Sequence, residues 1–418
     1  MKWPTVKVSK TCLKTRVKDP RKSPNKSFLY VDISSIDRSL KVITSTPEML
    51  GSEAPSRARK EIREGDVLVS TVRPNLNAVA MVPPELDGQI ASTGFCVLRP
   101  NLSTINGKYL FYFTTTQDFI SVLTSKVRGA HYPAVSDGDV KGLDLPLPTP
   151  SEQRRIVEIL DQADALCKKR AEADAKAARI LPALFYKMFG DPATNPKGWP
   201  VRALRDVTIG KPQYGANARA TAWSKGKPRY VRITDITDVG RLRKVGAMTL
   251  DLDNWEPYRL VPGDLLFARS GNTVGKTYIY HQEDGLCAYA GYLIRFRANT
   301  EHVKPWYLFA LTQTDYYRNW VESRKRVAGQ PNINGKEYAS LQIPCPPVPL
   351  QRRFTKILEK LIGLREKRFT STDKIDHLFN VLLYRAFTGD LTAQWREAHM
   401  KELLSEMEQQ ERYLEKSK

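Results

Sequence analysis

Shifted by 198 residues, this sequence falls on itself: Pro133 on Pro331, Leu143 on Leu341, Pro146 on Pro344, Gln153-Arg154-Arg155 on Gln351-Arg352-Arg353, Ile159-Leu160 on Ile357-Leu358. Upstream, Gly65-Asp66 matches Gly263-Asp264 and Tyr109-Leu110-Phe111 matches Tyr307-Leu308-Phe309 at the same offset. Trp3-Pro4 meets Trp199-Pro200 at 196 and Tyr30-Val31 meets Tyr230-Val231 at 200, small changes that loop lengths explain. Whatever one copy folds into, the other folds into as well. A length of 418 residues and a 41% apolar fraction supply ordinary cores for two or three domains.

Each copy has two parts. The first, residues 1–148 and 191–347, holds short β-branched and aromatic runs such as Asp66-Val67-Leu68-Val69-Ser70 and Leu265-Leu266-Phe267, broken by Gly, Pro, Asn and Asp. These read as strands and turns, with a shorter helical pattern at 106–125 and 304–324. The second part is a long helix, 149–190 in one copy and 348–390 in the other, and 391–418 is left as a C-terminal helix and tail. Thr149 is placed to cap the first helix, Pro150 to open it and Glu152 to close a capping box; Pro349 and Gln351 play a weaker version of the same role. Ile159, Ala163, Leu166, Arg170, Ala173, Ala177, Ile180 and Leu184 step by 4 and 3, and Ile357, Leu361, Leu364, Arg368, Ser371, Ile375, Leu378 and Leu382 repeat the phase. Two copies of such a seam pack most simply on each other as a coiled-coil pair; the alternative is that each helix covers its own domain. Pro182 is expected to kink the first helix near its end.

Charge is distributed unevenly. Of a net +21, the two helical blocks and the C-terminal segment account for +5, so the strand-rich parts carry +16. Residues 1–26 hold nine Lys/Arg against one acid, and 202–244 hold eleven against three. A positive field on two repeated domains suits a polyanion reached at two sites, such as one DNA duplex. Aromatic, amide and basic residues mix in Lys126, Arg128, His131, Tyr132 and in Arg324, Lys325, Arg326, Gln330, Asn332, the residue types that read base edges. A plain solubilising surface is the bland alternative.

Other chemistries find little support. Gly271-Asn272-Thr273-Val274-Gly275-Lys276-Thr277 has three residues between its glycines where a phosphate loop needs four, and Thr71-Val72-Arg73-Pro74-Asn75-Leu76-Asn77, its counterpart, has no glycine. Both read as surface loops available to DNA. Cys12, Cys96, Cys167, Cys287 and Cys345 lie far apart and read as buried or incidental thiols, and the five histidines show no metal or triad spacing, so no metal site is expected. No apolar run approaches the ~18 residues of a membrane span and no secretory leader is evident, which makes the cytoplasm the expected location and a membrane an unexpected partner.

These residues resemble a known family. A basic domain entered by Trp-Pro, the exit Leu145-Pro146-Leu147-Pro148-Thr149-Pro150 followed by Glu152-Gln153-Arg154-Arg155-Ile156-Val157, the second exit Ile343-Pro344-Cys345-Pro346-Pro347-Val348-Pro349-Leu350-Gln351-Arg352-Arg353, and the closing Ala386-Phe387-Thr388-Gly389-Asp390-Leu391 with Trp395 are similar to the specificity subunit of Type I restriction-modification enzymes. The resemblance covers nearly the whole chain. It implies an α+β fold with two similar α/β target-recognition domains in tandem, separated by two long antiparallel coiled-coil helices in a pseudo-two-fold repeat. It further implies a non-catalytic subunit that reads a split, asymmetric double-stranded DNA target. Two methyltransferase subunits and, in the full complex, restriction/translocase subunits are the implied partners. S-adenosylmethionine, ATP and Mg²⁺ would then belong to those partners, with no cofactor in this chain.

The DNA-binding residues expected on this basis are Arg73, Asn75, Lys126, Arg128, His131 and Tyr132 in the first copy. In the second they are Arg269, Asn272, Lys276, Arg324, Lys325, Arg326, Gln330 and Asn332. The helix-pair seam is expected at Ile159, Ala163, Leu166, Ala177, Ile180, Leu184, Ile357, Leu361, Leu364, Ile375, Leu378 and Leu382. The C-terminal segment, with Leu391, Trp395, Leu403, Leu404, Met407 and Leu414 among many Glu, packs on this coil or on a methyltransferase subunit. Two other classes of function stay open: a stand-alone nucleic-acid enzyme, either nuclease or fused methyltransferase, and a non-specific basic scaffold.

Overall fold

Val67–Ser70 is buried at every position, which is why the run is continuously apolar rather than alternating. It lies inside an antiparallel four-stranded sheet between Phe95–Pro100 and Val79–Met81, with Cys12–Leu13 at the edge. The same plan returns 198 residues on, where Asp264–Ala268 lies between Leu293–Arg297 and Thr277–Ile279 with Gln213–Tyr214 outside. A parallel pairing of Tyr30 with Ile90 recurs as Tyr230 with Ala288. Entry and exit strands pair in each copy, Thr5–Lys7 with Asp144–Pro146 and Val201–Ala203 with Gln342–Pro344. The computed structural model describes residues 3–129, 133–237, 240–243, 246–324 and 331–416, apart from the side chains of 272, 362–373 and 413–416.

The duplication extends to buried polar contacts. Asp66 and Asp264, both 1% exposed, each accept a hydrogen bond from an arginine Nε at 2.9 Å, from Arg99 and Arg297 respectively. The hydroxyls of Tyr109 and Tyr307 donate to the carbonyls of Pro146 and Pro344. Gln153 Oε1 accepts from Asn106 N at 2.7 Å and its Nε2 donates to Pro148 O at 2.8 Å; Gln351 does the same with Lys304 N and Pro346 O at the same distances. The glutamine of the repeated Gln-Arg-Arg motif therefore ties the start of the long helix to the shorter helix of its own head and to the proline-rich exit.

The chain divides into two compact units, Met1–Arg170 with Ser371–Lys418, and Ala171–Thr370. Both long helices contribute to both units, and the first unit is built from two separate stretches of chain. In the first unit Ile156, Val157 and Leu160 share a core with Leu383 and Ala386 and with head residues including Tyr109 and Phe113. In the second, Leu181, Phe185 and Phe189 share a core with Phe354, Leu358 and Tyr307. Within each unit, one end of the first long helix meets the opposite end of the other, the antiparallel sense.

The seam needs correction. Leu166, Ile180 and Leu378 are 46%, 46% and 48% exposed. The buried set runs one residue later, at Leu160, Leu181, Phe185, Leu358 and Leu383, while Ile159, Ala163, Leu184, Ile357, Leu361, Ile375 and Leu382 are half-buried and Ala177 is buried. One residue turns the face by about 100°. The cause is that each helix end serves its own head as well as the other helix: Phe185 lies 5.3 Å from the Tyr307 ring and 6.2 Å from that of Phe354, and such a broad aromatic stripe outweighs a narrow 4–3 seam. The side chain of Leu364 lies outside the described residues. The kink is a break: the first helix runs Pro150–Ala178 and resumes as Ile180–Phe189, because the Pro182 ring obstructs the Ala178 carbonyl and offers no N–H.

Glu152 does not close a capping box. Thr149 Oγ1 caps by accepting from Glu152 N at 3.4 Å, but the carboxylate, side chain 2% exposed, turns to the C-terminal segment. There it accepts from Arg396 Nε at 2.8 Å, Thr392 Oγ1 at 2.6 Å and Trp3 Nε1 at 2.9 Å, and the Arg396 guanidinium lies over the Trp3 ring. The helix Met400–Lys416 covers the same region, burying Leu403, donating from Gln410 to Pro148 O and hydrogen-bonding Ser151 through Glu406. Its partner is therefore the exit of the first head and the opening turn of the first long helix.

Candidate nucleic-acid interface

The central buried strand of each head ends at the sheet's rim and delivers a loop, 71–77 in the first unit and 269–275 in the second. Both loops are pinned by the same backbone bonds. Thr71 N donates to Gly94 O at 2.8 Å and Arg269 N to Tyr292 O at 3.0 Å. Arg73 N donates to Pro133 O at 2.8 Å and Gly271 N to Pro331 O at 3.0 Å, while Val135 N reaches Thr71 O and Ile333 N reaches Arg269 O. Bridges between Val72 and Ala134, Arg128 and Ala134, and Ser270 and Asn332 complete the junction. The described ends of the second loop region, Arg128 in one copy and Asn332 in the other, thus lie beside the first loop.

Arg73, Asn75, Lys126, Arg128, Arg324 and Asn332 are exposed, and Arg269 and Lys276 are half-buried. Arg128 stands 3.7 Å from Asp139, whose carboxyl is held below its usual range by hydrogen bonds from Ser136 and then by the nearby Arg128 and Lys126. Arg324 lies over the Trp320 ring at 5.4 Å. His131, Tyr132, Lys325, Arg326 and Gln330, and the side chain of Asn272, fall outside the described residues.

Sequence reasoning missed three contributors. Lys41 donates from Nζ to Asn77 O at 2.6 Å, bracing the first loop, and burial pulls its amine down to about 8. Tyr214 and Tyr292 are 43% and 63% exposed, and the Arg269 guanidinium lies over Tyr214 at 4.9 Å. The available signal was an aromatic at 292 where the first copy has Gly94.

The glycines resembling a phosphate loop serve the backbone. Gly271 and Gly275 sit at φ 72° and 90°, and their counterparts Arg73 and Asn77 hold the same left-handed region at φ 48° and 44°. A Cβ on Gly275 would also stand 2.7 Å from Val321 Cγ1. A strand, Thr277–Ile279, follows where a phosphate loop opens a helix. The cysteines are quiet: burial raises the thiols of Cys12 and Cys345 to about 11 and those of Cys96 and Cys287 to about 12. Among the described residues no group of three His, Cys, Asp or Glu is placed to hold a metal, and no helix is long and apolar enough to cross a membrane.

Two copies of one frame, each presenting cations and amides from matched loops, define a duplicated recognition scaffold. The Type I restriction modification DNA specificity domain matches residues 21–174 and again 196–371, and the chain belongs to that family. It is 22% identical over 324 residues to the EcoDI specificity subunit of Escherichia coli, covering 68% of this chain and 71% of that one. The HindI specificity subunit of Haemophilus influenzae is 27% identical over 171 residues, 40% of this chain and 34% of that subunit. Among solved structures, a chain from a study of complex assembly and conformational transition of the type I R-M system is 31% identical, with a TM-score of 0.51 over 93% of this chain and 98% of that one. The S subunit from M. genitalium, 13% identical with a TM-score of 0.50 over 92% of this chain and 96% of that one, shares the fold.

Proposed function

We propose that this chain is the DNA-reading subunit of a Type I restriction-modification complex, each unit reading one half of a split, asymmetric duplex target. The observation that carries the reading is the pair of loop junctions: one hydrogen-bonded frame built twice, with different side chains on it. Thr71, Arg73 and Gly94 in the first unit stand where Arg269, Gly271 and Tyr292 stand in the second. A common frame gives two similar modes of approach to a groove, and different side chains give two different half-sites. Family membership supports the same role.

Catalysis would reside in partner subunits. Two methyltransferase subunits would dock on the two-fold repeated surfaces and bring S-adenosylmethionine, and translocating restriction subunits would bring ATP and Mg²⁺, all in the cytoplasm. A doubled unit favours two copies of one partner because it offers two similar surfaces. The test is a hydroxyl-radical footprint of the chain assembled with its methyltransferase subunit. Two short protected blocks about one duplex turn apart are expected; one contiguous block would contradict the reading. Binding that depends weakly on salt and shows no sequence preference would favour a non-specific scaffold.

A further inference from the structure

We propose that Arg73 is the specificity-determining residue through which the first unit selects a guanine, its guanidinium donating to O6 and N7 in the major groove. This deepens the DNA-reading function proposed above and rests on it. The two loops use one backbone, and both need a left-handed residue at their first turn. The second unit meets that need with Gly271, which carries no Cβ to oppose it; the first meets it with an arginine at φ 48°, ψ 59°. Asn77 at the other left-handed position needs no special account, since asparagine tolerates it.

Among the described residues, nothing repays the arginine. The loop bonds at 73 use only its backbone: N donates to Pro133 O and O accepts from Leu76 N. Its side chain is exposed and makes no hydrogen bond or ion pair among the described residues. A strained residue whose side chain forms no hydrogen bond or ion pair among the described residues points to an external contact. Charge alone does not require this position, because Lys126 and Arg128 supply it nearby from ordinary backbone. What the position adds is direction. Bonds to Pro133 and Leu76, with Lys41 bracing Asn77, fix the Cα–Cβ vector, and a planar fork aimed along a fixed vector suits the two acceptors of guanine.

The test co-produces the chain with its methyltransferase subunit, reads the target from the host methylome, and measures binding to duplexes varied one base pair at a time. Wild type is expected to prefer one G·C pair in one half-site by about tenfold or more. R73G and R73K should both lose that preference and leave the other half-site untouched, while R73G melts no lower than wild type because glycine suits the left-handed backbone. The inference is overturned if R73K keeps the preference while R73G weakens all duplexes alike and lowers the salt slope by about one, the signature of a phosphate contact. It is equally overturned if neither variant changes anything. A wild-type complex with no split-site preference would instead bring down the parent reading, and this inference with it.

Discussion

Buried side-chain amides decide where each long helix starts. Gln153 and Gln351 are 1% and 0% exposed, and each accepts from a backbone N–H and donates to a proline carbonyl; Pro148 O also accepts from Gln410, whereas Lys304 N and Pro346 O have no other described partner. Replacing Gln351 by Leu keeps the volume but strands Lys304 N and Pro346 O, at about 1–3 kcal/mol for each buried group left unpaired. Calorimetry of the Gln351→Leu variant should show the melting point lowered by several degrees with the DNA target unaltered; an unchanged melting point would contradict this role. The Gln-Arg-Arg pair was legible in the sequence as a repeated helix start. Its bonds were not, because the backbone N–H groups that donate to Gln153 and Gln351 lie 47 residues upstream in each copy. Glu152 was misjudged for a related reason: a capping box is a local pattern, whereas its true partners, Thr392 and Arg396, are 240 and 244 residues away.

At the level of elements, periodicity located the helices and Pro182 located the break, yet the buried face is one residue out of the expected phase. A 4–3 count weighs Ile, Leu and Ala alike and assumes one packing partner. In the fold each helix end has two, and Phe185, Phe189 and Phe354 draw the face toward the heads. Two substitutions separate the alternatives. Leu378→Gln, at a site 48% exposed, should change stability by no more than about 0.5 kcal/mol. Leu383→Ala, at a site 5% exposed, should cost about 2–5 kcal/mol in urea unfolding. The opposite ranking would restore the original seam. The C-terminal helix shows the same limit, since its amphipathic pattern announces a partner without naming the Ser151 and Pro148 surface that it covers.

Across the whole molecule, the duplication was legible because it is written in backbone-determining residues: the Gly-Asp turns, the Trp-Pro entries and the proline exits. Base-reading side chains leave no such mark, since loop residues at 71, 73 and 94 differ from those at 269, 271 and 292 by design of the function proposed. In the function proposed, labour is therefore divided between a doubled frame and two independent sets of side chains. Methylome sequencing of a host carrying the methyltransferase subunit and a chimaera, with residues 1–148 exchanged for the corresponding head of another family member, tests that division. One half of the methylated target should change, with the other half and the spacing between them retained; a target altered in both halves, or in neither, would contradict it.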